Sequence, residues 1–404
     1  MRFHRNPILI LALIAATTGA AAAADLQLAA PGPNDQTPGK LVAASSKGGT
    51  ARLDRTPVAI SWALDPAAAL AAAPVPFVRE SREYWRDATA AELHAGVKLP
   101  TTAPQALIRL SPRAGNAATL TADQLVVRAN GRQYAASEAL QSLADASALR
   151  SAGMDVPEGS VVAKLSATVG AGDIELAVPS ASGSYLVHVF EPKSTQTLNL
   201  GATRDTVIAG NALTIHANFA GATAQKATGM ISAPDGHTQD VTFALGADGT
   251  FTATVVPDPA HAGGPALWEV HAFAEGQAGK QRVLRDARTA FAVSTPTARL
   301  TGGATNASAR QSVSFDVGVE AASASRYQLS GVLYGRGKDG SAQPFAYAQS
   351  AAWLDAGNGT IALRFEGTAL SAKLAAPYEL RDLRLVNQAD MSLIERREQA
   401  FTVR

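Results

Sequence analysis

The sequence predicts a mainly β chain: a mixed α+β, or helix-decorated β, domain followed by two tandem β-sandwiches. Three observations carry that expectation. Short strand-like segments with period-two alternation crowd the last half of the chain. Blocks of that half repeat at one fixed offset. And the character of the sequence changes near residue 195, after a front half that mixes strand and helix patterns.

From Leu53 to about Phe190, strand candidates are short and bounded by Gly, Pro or Asn. They are Val58 to Ala63, Ala106 to Leu110, Gln124 to Ala129, Val161 to Val169, Ile174 to Val178 and Tyr185 to Phe190. Two stretches read as helical. Val78 to Gly96 contains a Thr89-x-x-Glu92 capping box. Ser137 to Gly153 places Leu140, Leu143 and Leu149 on one face and ends at a glycine. Residues 53–195 are therefore expected to form the mixed domain. The polar, Gly- and Pro-rich residues 25–52 read as a flexible arm before it.

Glu191 to Thr195 reads as a linker. Beyond it, residues 196–295 hold about seven strand-like segments, such as Ala212 to Ala220, Asp240 to Leu245, Thr250 to Val256 and Trp268 to Phe273. Thr289 to Val293 continues the pattern, and Gly229 to Ser232 and Gln281 to Leu284 are shorter, weaker candidates. Roughly seven short alternating strands in about 100 residues is the signature of an immunoglobulin-like sandwich. A second linker, Ser294 to Thr297, precedes a second such module over 296–404. Its strands are expected at Ser312 to Val319, Tyr327 to Tyr334, Pro344 to Leu354, Thr360 to Phe365, Tyr378 to Leu385 and Ala400 to Val403.

The two modules align at an offset of 110 residues. Asp248-Gly249-Thr250-Phe251 meets Asn358-Gly359-Thr360-Ile361, Trp268-Glu269-Val270 meets Tyr378-Glu379-Leu380, and Ala290 to Val293 meets Ala400 to Val403. Three blocks sharing one offset point to two like domains in tandem, each with its own core.

The amino terminus reads as a cleavable export signal over residues 1–24. Arg2 and Arg5 give a positive start, Leu9 to Ile14 an apolar stretch, and Ala22 and Ala24 the small side chains that cleavage requires. No second hydrophobic segment follows, so no membrane-spanning segment is expected after cleavage. The expected location is the periplasm or the medium. Of 404 residues, 380 remain after cleavage, and the formal charge falls from +1 to −1 as the two arginines leave. A near-neutral surface argues against nucleic acid as a partner. The chain has no cysteine, which excludes disulfides, thiolate zinc sites, iron–sulfur clusters and cysteine nucleophiles.

Ala266 to Val293 resembles the closing strands of immunoglobulin-like modules common in exported bacterial proteins. Ala346 to Leu354, with Ala376 to Arg397, resembles the C-terminal module of a proteobacterial family of exported proteins of unknown function. The resemblance implies one mixed domain, two immunoglobulin-like modules and an envelope or extracellular location. It carries over no catalytic residues.

Motifs of chemistry are scarce. None of the seven histidines falls in HExxH or another close metal spacing. His216 and His271 sit at outward strand positions, while Asp235, His237, Asp258 and His261 lie in turn sequences. The single GxGxxG string, Gly335 to Gly340, follows a strand but precedes no helix pattern, and reads as a hairpin loop. The richest cluster is Glu80, Glu83, Asp87 and Glu92, with His94 nearby and Arg79, Arg82 and Arg86 interleaved. If helical, Glu80, Glu83 and Asp87 share a face; the interleaved arginines favour a solvated, charge-balanced surface. No catalytic, cofactor-binding or metal-ligating residue is assigned, and no cofactor. The leading expectation is a non-catalytic envelope or secreted protein. Its sandwiches would serve as interaction or spacer modules for an envelope protein or glycan. The alternative is a hydrolase of an envelope polymer using the four carboxylates.

Overall fold

A computed structural model describes residues 25–43, 53–67, 70, 75–113, 120–263, 266–306, 308, 312–367 and 374–403. The expected signal, residues 1–24, and residues 44–52 of the expected arm lie outside the described residues. Strands make up 59% and helices 8%, a mainly β protein. Among the described residues, no helix is long and apolar enough to cross a membrane.

The first three strands complete sheets that belong to later parts of the chain. β1 (Asp25–Gln27) and β2 (Val58–Ala63) both join the last body, and β3 (Val78–Ser81) joins the middle one. The first body then follows: β4 (Glu83–Thr89), α1 (Ala90–Ala95), β5 (Val97–Thr101), β6 (Leu107–Pro112), β7 (Val126–Ala129), β8 (Arg132–Tyr134), α2 (Ala136–Ala139), β9 (Leu140–Asp145), α3 (Ala146–Ser151), β10 (Val161–Leu165), β11 (Gly172–Ala177) and β12 (Ser184–Phe190). It packs a sheet of order β4-β12-β6-β10-β9 against a sheet of order β5-β11-β7-β8. Tyr84, Leu99, Ile108, Val127, Ile174 and Val187 fill the space between.

The two long helices expected here are replaced by strands. Val78 to Gly96 folds as β3, β4 and one short helix, α1. Seven residues of β4 pair with Ser184–Phe190 of β12, and Tyr84 and Ala88 alternate into the core. The helix preference of Arg and Glu is weak, and pairing with burial outweighs it. The capping box is present as read: the Thr89 hydroxyl accepts from Glu92 N, and the Glu92 carboxylate accepts from Thr89 N. It opens a helix of six residues that ends at Gly96, whose φ of 104° favours glycine. Ser137 to Gly153 likewise divides into α2, β9 and α3. Asp145 caps α3 by accepting from Ala148 N at 2.8 Å.

The middle body contains β13 (Thr197–Ala202), β14 (Thr206–Ile208), β15 (Leu213–Ala220), β16 (Thr223–Ser232), β17 (Thr238–Thr242), β18 (Ala244–Leu245), β19 (Phe251–Val255), β20 (Trp268–Ala278) and β21 (Gln281–Ser294). The last body contains β22 (Ala298–Asn306), β23 (Val313–Ala321), β24 (Ser325–Arg336), β25 (Ala342–Leu354), β26 (Gly357–Phe365), β27 (Ala375–Asn387) and β28 (Ser392–Val403). Each body is a two-sheet sandwich. The sheet order β3-β13-β15-β19 in one corresponds to β1-β22-β23-β26 in the other, and β21-β20-β16-β17 to β28-β27-β24-β25. The three blocks matched at offset 110 fall on the corresponding strands β19 and β26, β20 and β27, and β21 and β28. In both sandwiches an upstream strand is added at the same edge: β3 beside β13, and β1 beside β22. The weaker candidate Gln281 to Leu284 and the strand expected at Thr289 to Val293 are one continuous strand, β21.

The described part of the expected arm, residues 25–43, and the strand Val58–Ala63, expected in the mixed domain, together act as a clasp on the last body. β1 extends one sheet of the last sandwich and β2 the other, pairing with β25 over six residues. The Arg326 guanidinium, largely buried, donates to the carbonyls of Asp54 and Thr56 just before β2. Between the two strands, Gln36 bridges to Arg396 of β28, and Arg204 and Asn211 of the middle body donate to the carbonyls of Pro33 and Thr37. Unpaired sheet edges invite association, and these added strands cover them.

A chain beginning at residue 64 would leave two edges of the last sandwich bare. We expect its melting temperature to fall and concentration-dependent association to appear in size-exclusion chromatography. A synthetic peptide spanning 53–67, added in trans, should raise the melting temperature again.

Candidate functional site

Successive residues of a strand point to opposite faces, and β21 uses both faces at the boundary with the first body. Arg285 continues the inward series Val283, Arg285, Ala287, while Asp286 points outward with Leu284 and Arg288. Both side chains engage the first body.

Arg285 is fully buried beside an equally buried Glu191, with 2.5 Å between Nη2 and Oε2. The same guanidinium donates to the Thr102 and Ser194 hydroxyls at 2.9 Å and to the carbonyls of Gln196 and Leu284. Glu191 in turn accepts from Thr102 N and Thr102 Oγ1, each at 2.6 Å. Every charged atom of this cluster therefore has partners, as burial of an ion pair requires. Glu191 to Thr195 was expected as a linker. It joins the two bodies with Glu191 and Ser194 buried at their junction and Pro192, Lys193 and Thr195 exposed. The second linker candidate behaves alike, with Ser294, Thr295 and Thr297 buried.

On the outward face, Asp286 Oδ2 accepts from the backbone N–H of Trp85 at 2.6 Å, and the Ser81 hydroxyl donates to the Asp286 carbonyl. This satisfies an edge N–H of β4. Burial pushes the Asp286 carboxyl up to about 7, against the lowering effect of the Trp85 hydrogen bond. Register places Thr228, Phe273 and Asp286 in one cross-strand row, with Lys226, Glu275 and Leu284 in the next. Where this face meets β4 there is a crease of about 230 Å³, bordered by both rows and by Tyr84 and Trp85. Phe273 is 40% exposed there. Trp85 also stacks on His188, centroids 4.8 Å apart, and His188 Nε2 lies 2.9 Å from Glu83 Oε2. That hydrogen bond holds the Glu83 carboxyl below its usual range.

The four sequence-singled carboxylates do not share a cavity. Glu80, on β3, pairs with Arg82 at 2.7 Å. Glu83 faces His188, Asp87 pairs with Arg113 at 2.7 Å, and Glu92 on α1 caps its helix and meets Arg86 at 3.2 Å. They lie on three elements instead of one helical face. His94 meets the Ala181 carbonyl at 2.8 Å. A second, smaller hollow of about 170 Å³ is bordered by Arg109, Ser111, Arg113 and Asp155.

The remaining candidates take structural positions. His216 is 3.4 Å from the Thr252 hydroxyl, and His271 is 3.3 Å from Glu269. Asp235 and His261 meet at 2.8 Å, and His237 stacks on His261 at 3.8 Å. Their separate turns gave no sign of this contact. Asp258 accepts from Ala260 N. Among the described residues, no group of three or more His, Asp and Glu is arranged to hold a metal ion. Gly335 and Arg336 end β24, and Gly337 to Gly340 lie in the turn of the β24–β25 hairpin.

Sequence reasoning missed Arg285, Asp286, Glu191 and Phe273. One signal was present: Arg285 and Glu191 are opposite charges at inward positions of alternating strands, Glu191 continuing the series Tyr185, Val187, Val189.

Asp286 gives a pH prediction. Its folded carboxyl titrates near 7 and its unfolded one near 3.8, so the native state holds the proton more tightly. Native stability should therefore fall as pH rises from about 4 to about 7. Asp286→Asn keeps an acceptor for Trp85 N and removes that cost. In denaturant titrations the variant should match the parent near pH 3.5 and exceed it by a few kcal/mol at pH 8. Parallel pH profiles for the two proteins would contradict the assignment.

Comparison with known proteins bears on the whole chain. Residues 49–191 match the N-terminal domain of DUF4785, a domain of unknown function, and residues 297–404 match the DUF4785 C-terminal domain. No curated protein matches the chain. Among solved structures, a DUF4785 family protein from Legionella pneumophila has the same fold, with a TM-score of 0.66 at 19% identity. The superposition covers 91% of this chain and 98% of that one. The chain thus carries the N-terminal and the C-terminal domain of the DUF4785 family.

Proposed function

We propose that this is an exported, non-catalytic binding protein of the cell envelope or the medium, with two immunoglobulin-like modules that hold and display one interaction site. The observation that carries this reading is the crease between β4 and the outer face of the middle sandwich. It is open, bordered by Trp85 and Phe273, and lies where β4 meets β21, the strand whose Arg285 makes the buried pair with Glu191. Sites at the junction of two bodies are common places for ligands. A junction held by a buried ion pair presents such a site with its geometry already formed, which lowers the ordering cost of binding. A second feature agrees with an interaction role: Val58, Ile60 and Trp62 leave one side of β2 apolar and exposed.

The test needs the whole mature chain, because β1, β2 and β3 complete sheets far along the sequence. Residues 25–404 would be used as bait in envelope extract, beside Phe273→Asp. We expect a protein or glycan retained by the parent and lost with the variant, and mature protein beginning at Asp25 in the envelope fraction or medium. Equal retention by both baits, or none by either, would count against the reading.

A further inference from the structure

We propose that the crease takes one sugar ring of an uncharged glycan. The inference rests on the binding role proposed above and names the ligand. Its volume, about 230 Å³, equals roughly seven or eight water volumes, the size of a single monosaccharide unit. Three aromatic residues border it: Tyr84, which is buried in the first body, Trp85, and Phe273, which is exposed. Aromatic surfaces cover the apolar C–H faces of a pyranose ring while leaving its hydroxyls free to reach polar groups.

The polar border fits hydroxyls as well. Asp286 is only 6% exposed, and one of its oxygens is taken by Trp85 N. Its other oxygen, Oδ1, accepts from no described residue. Ionised, this oxygen accepts a hydrogen bond; protonated, as burial favours, the carboxyl donates one. A sugar hydroxyl can do either and brings no charge into the site. Thr228 offers a hydroxyl that can donate or accept, and Lys226 offers an ammonium. Glu275 is held by Arg282, both of its oxygens at 2.8 Å from that guanidinium. The two carboxylates, Asp286 and Glu275, are matched by Lys226 and Arg282, so the border has no excess positive charge to recruit a uronate or phosphate polymer.

The experiment is isothermal titration calorimetry of residues 25–404 with laminarin, dextran, yeast mannan and N-acetylglucosamine hexamer, with polygalacturonate as the charged comparator. We expect saturable binding of at least one neutral glycan and none of polygalacturonate. Phe273→Ala should weaken that binding about tenfold or more, as loss of an aromatic anchor does. Thr228→Glu, an exposed change on the other side of the crease, should do the same with an unchanged melting temperature, and decides the matter if Phe273→Ala disturbs folding. Binding of polygalacturonate instead, no neutral glycan bound, or binding indifferent to both substitutions would overturn the inference. A protein captured from extract by the parent but not by Phe273→Asp, together with no glycan binding, overturns the sugar and leaves the binding role standing.

Discussion

A fully buried guanidinium is tolerable in a β-sandwich only where something pre-arranged meets it, and Arg285 is met by Glu191, Thr102, Ser194 and two backbone carbonyls. Desolvating each charge costs several kcal/mol, so the pair is weak as a source of stability and strong as a specification. Arg285 comes from the middle body; Glu191, Thr102 and Ser194 come from the first body and its seam. If the two bodies slide or rotate, both charges lose their partners in a dry environment. The junction therefore has one low-energy arrangement, and the crease beside it inherits that arrangement.

The same logic of borrowed completion runs through the chain. β3 leaves the first body's sequence to finish a sheet of the middle sandwich, and β1 and β2 cross nearly the whole chain to finish both sheets of the last. Arg204 and Asn211 tie the clasp to the middle body through backbone carbonyls. Sheet edges that would otherwise be open are covered by the chain itself. Boundaries drawn in sequence order therefore do not coincide with boundaries of sheets.

Much of this was legible in the sequence. Alternation in Ala212 to Ala220 and Thr250 to Val256 located β15 and β19 because each has one buried face and one wet one. The offset of 110 marked corresponding strands because Phe251, Trp268, Phe291 and Phe401 are core residues. The Thr89–Glu92 capping box is a local interaction and was read correctly. What local pattern could not give was pairing partners. Glu83 to Thr89 is a strand because β12 lies beside it, and Asp25–Gln27 and Val58–Ala63 are strands because a sandwich far along the chain accepts them. The candidate site was harder still. Its four sequence-singled carboxylates are each paired separately, while Asp286 and Phe273 became a site only when a second body met their face. The inward placement of Arg285 and Glu191 was the one trace of that meeting left in the pattern.

The central claim is that the buried pair fixes the first body on the middle one. The direct measurement is small-angle scattering with calorimetric unfolding of Arg285→Ala beside the double variant Arg285→Met, Glu191→Leu. The account predicts that Arg285→Ala, which strands Glu191, loses about 3–5 kcal/mol, splits the unfolding transition and swells the scattering profile. The double variant, which removes both charges, should recover most of the loss. An Arg285→Ala protein with the parent's profile and a single transition at the parent's midpoint would contradict it.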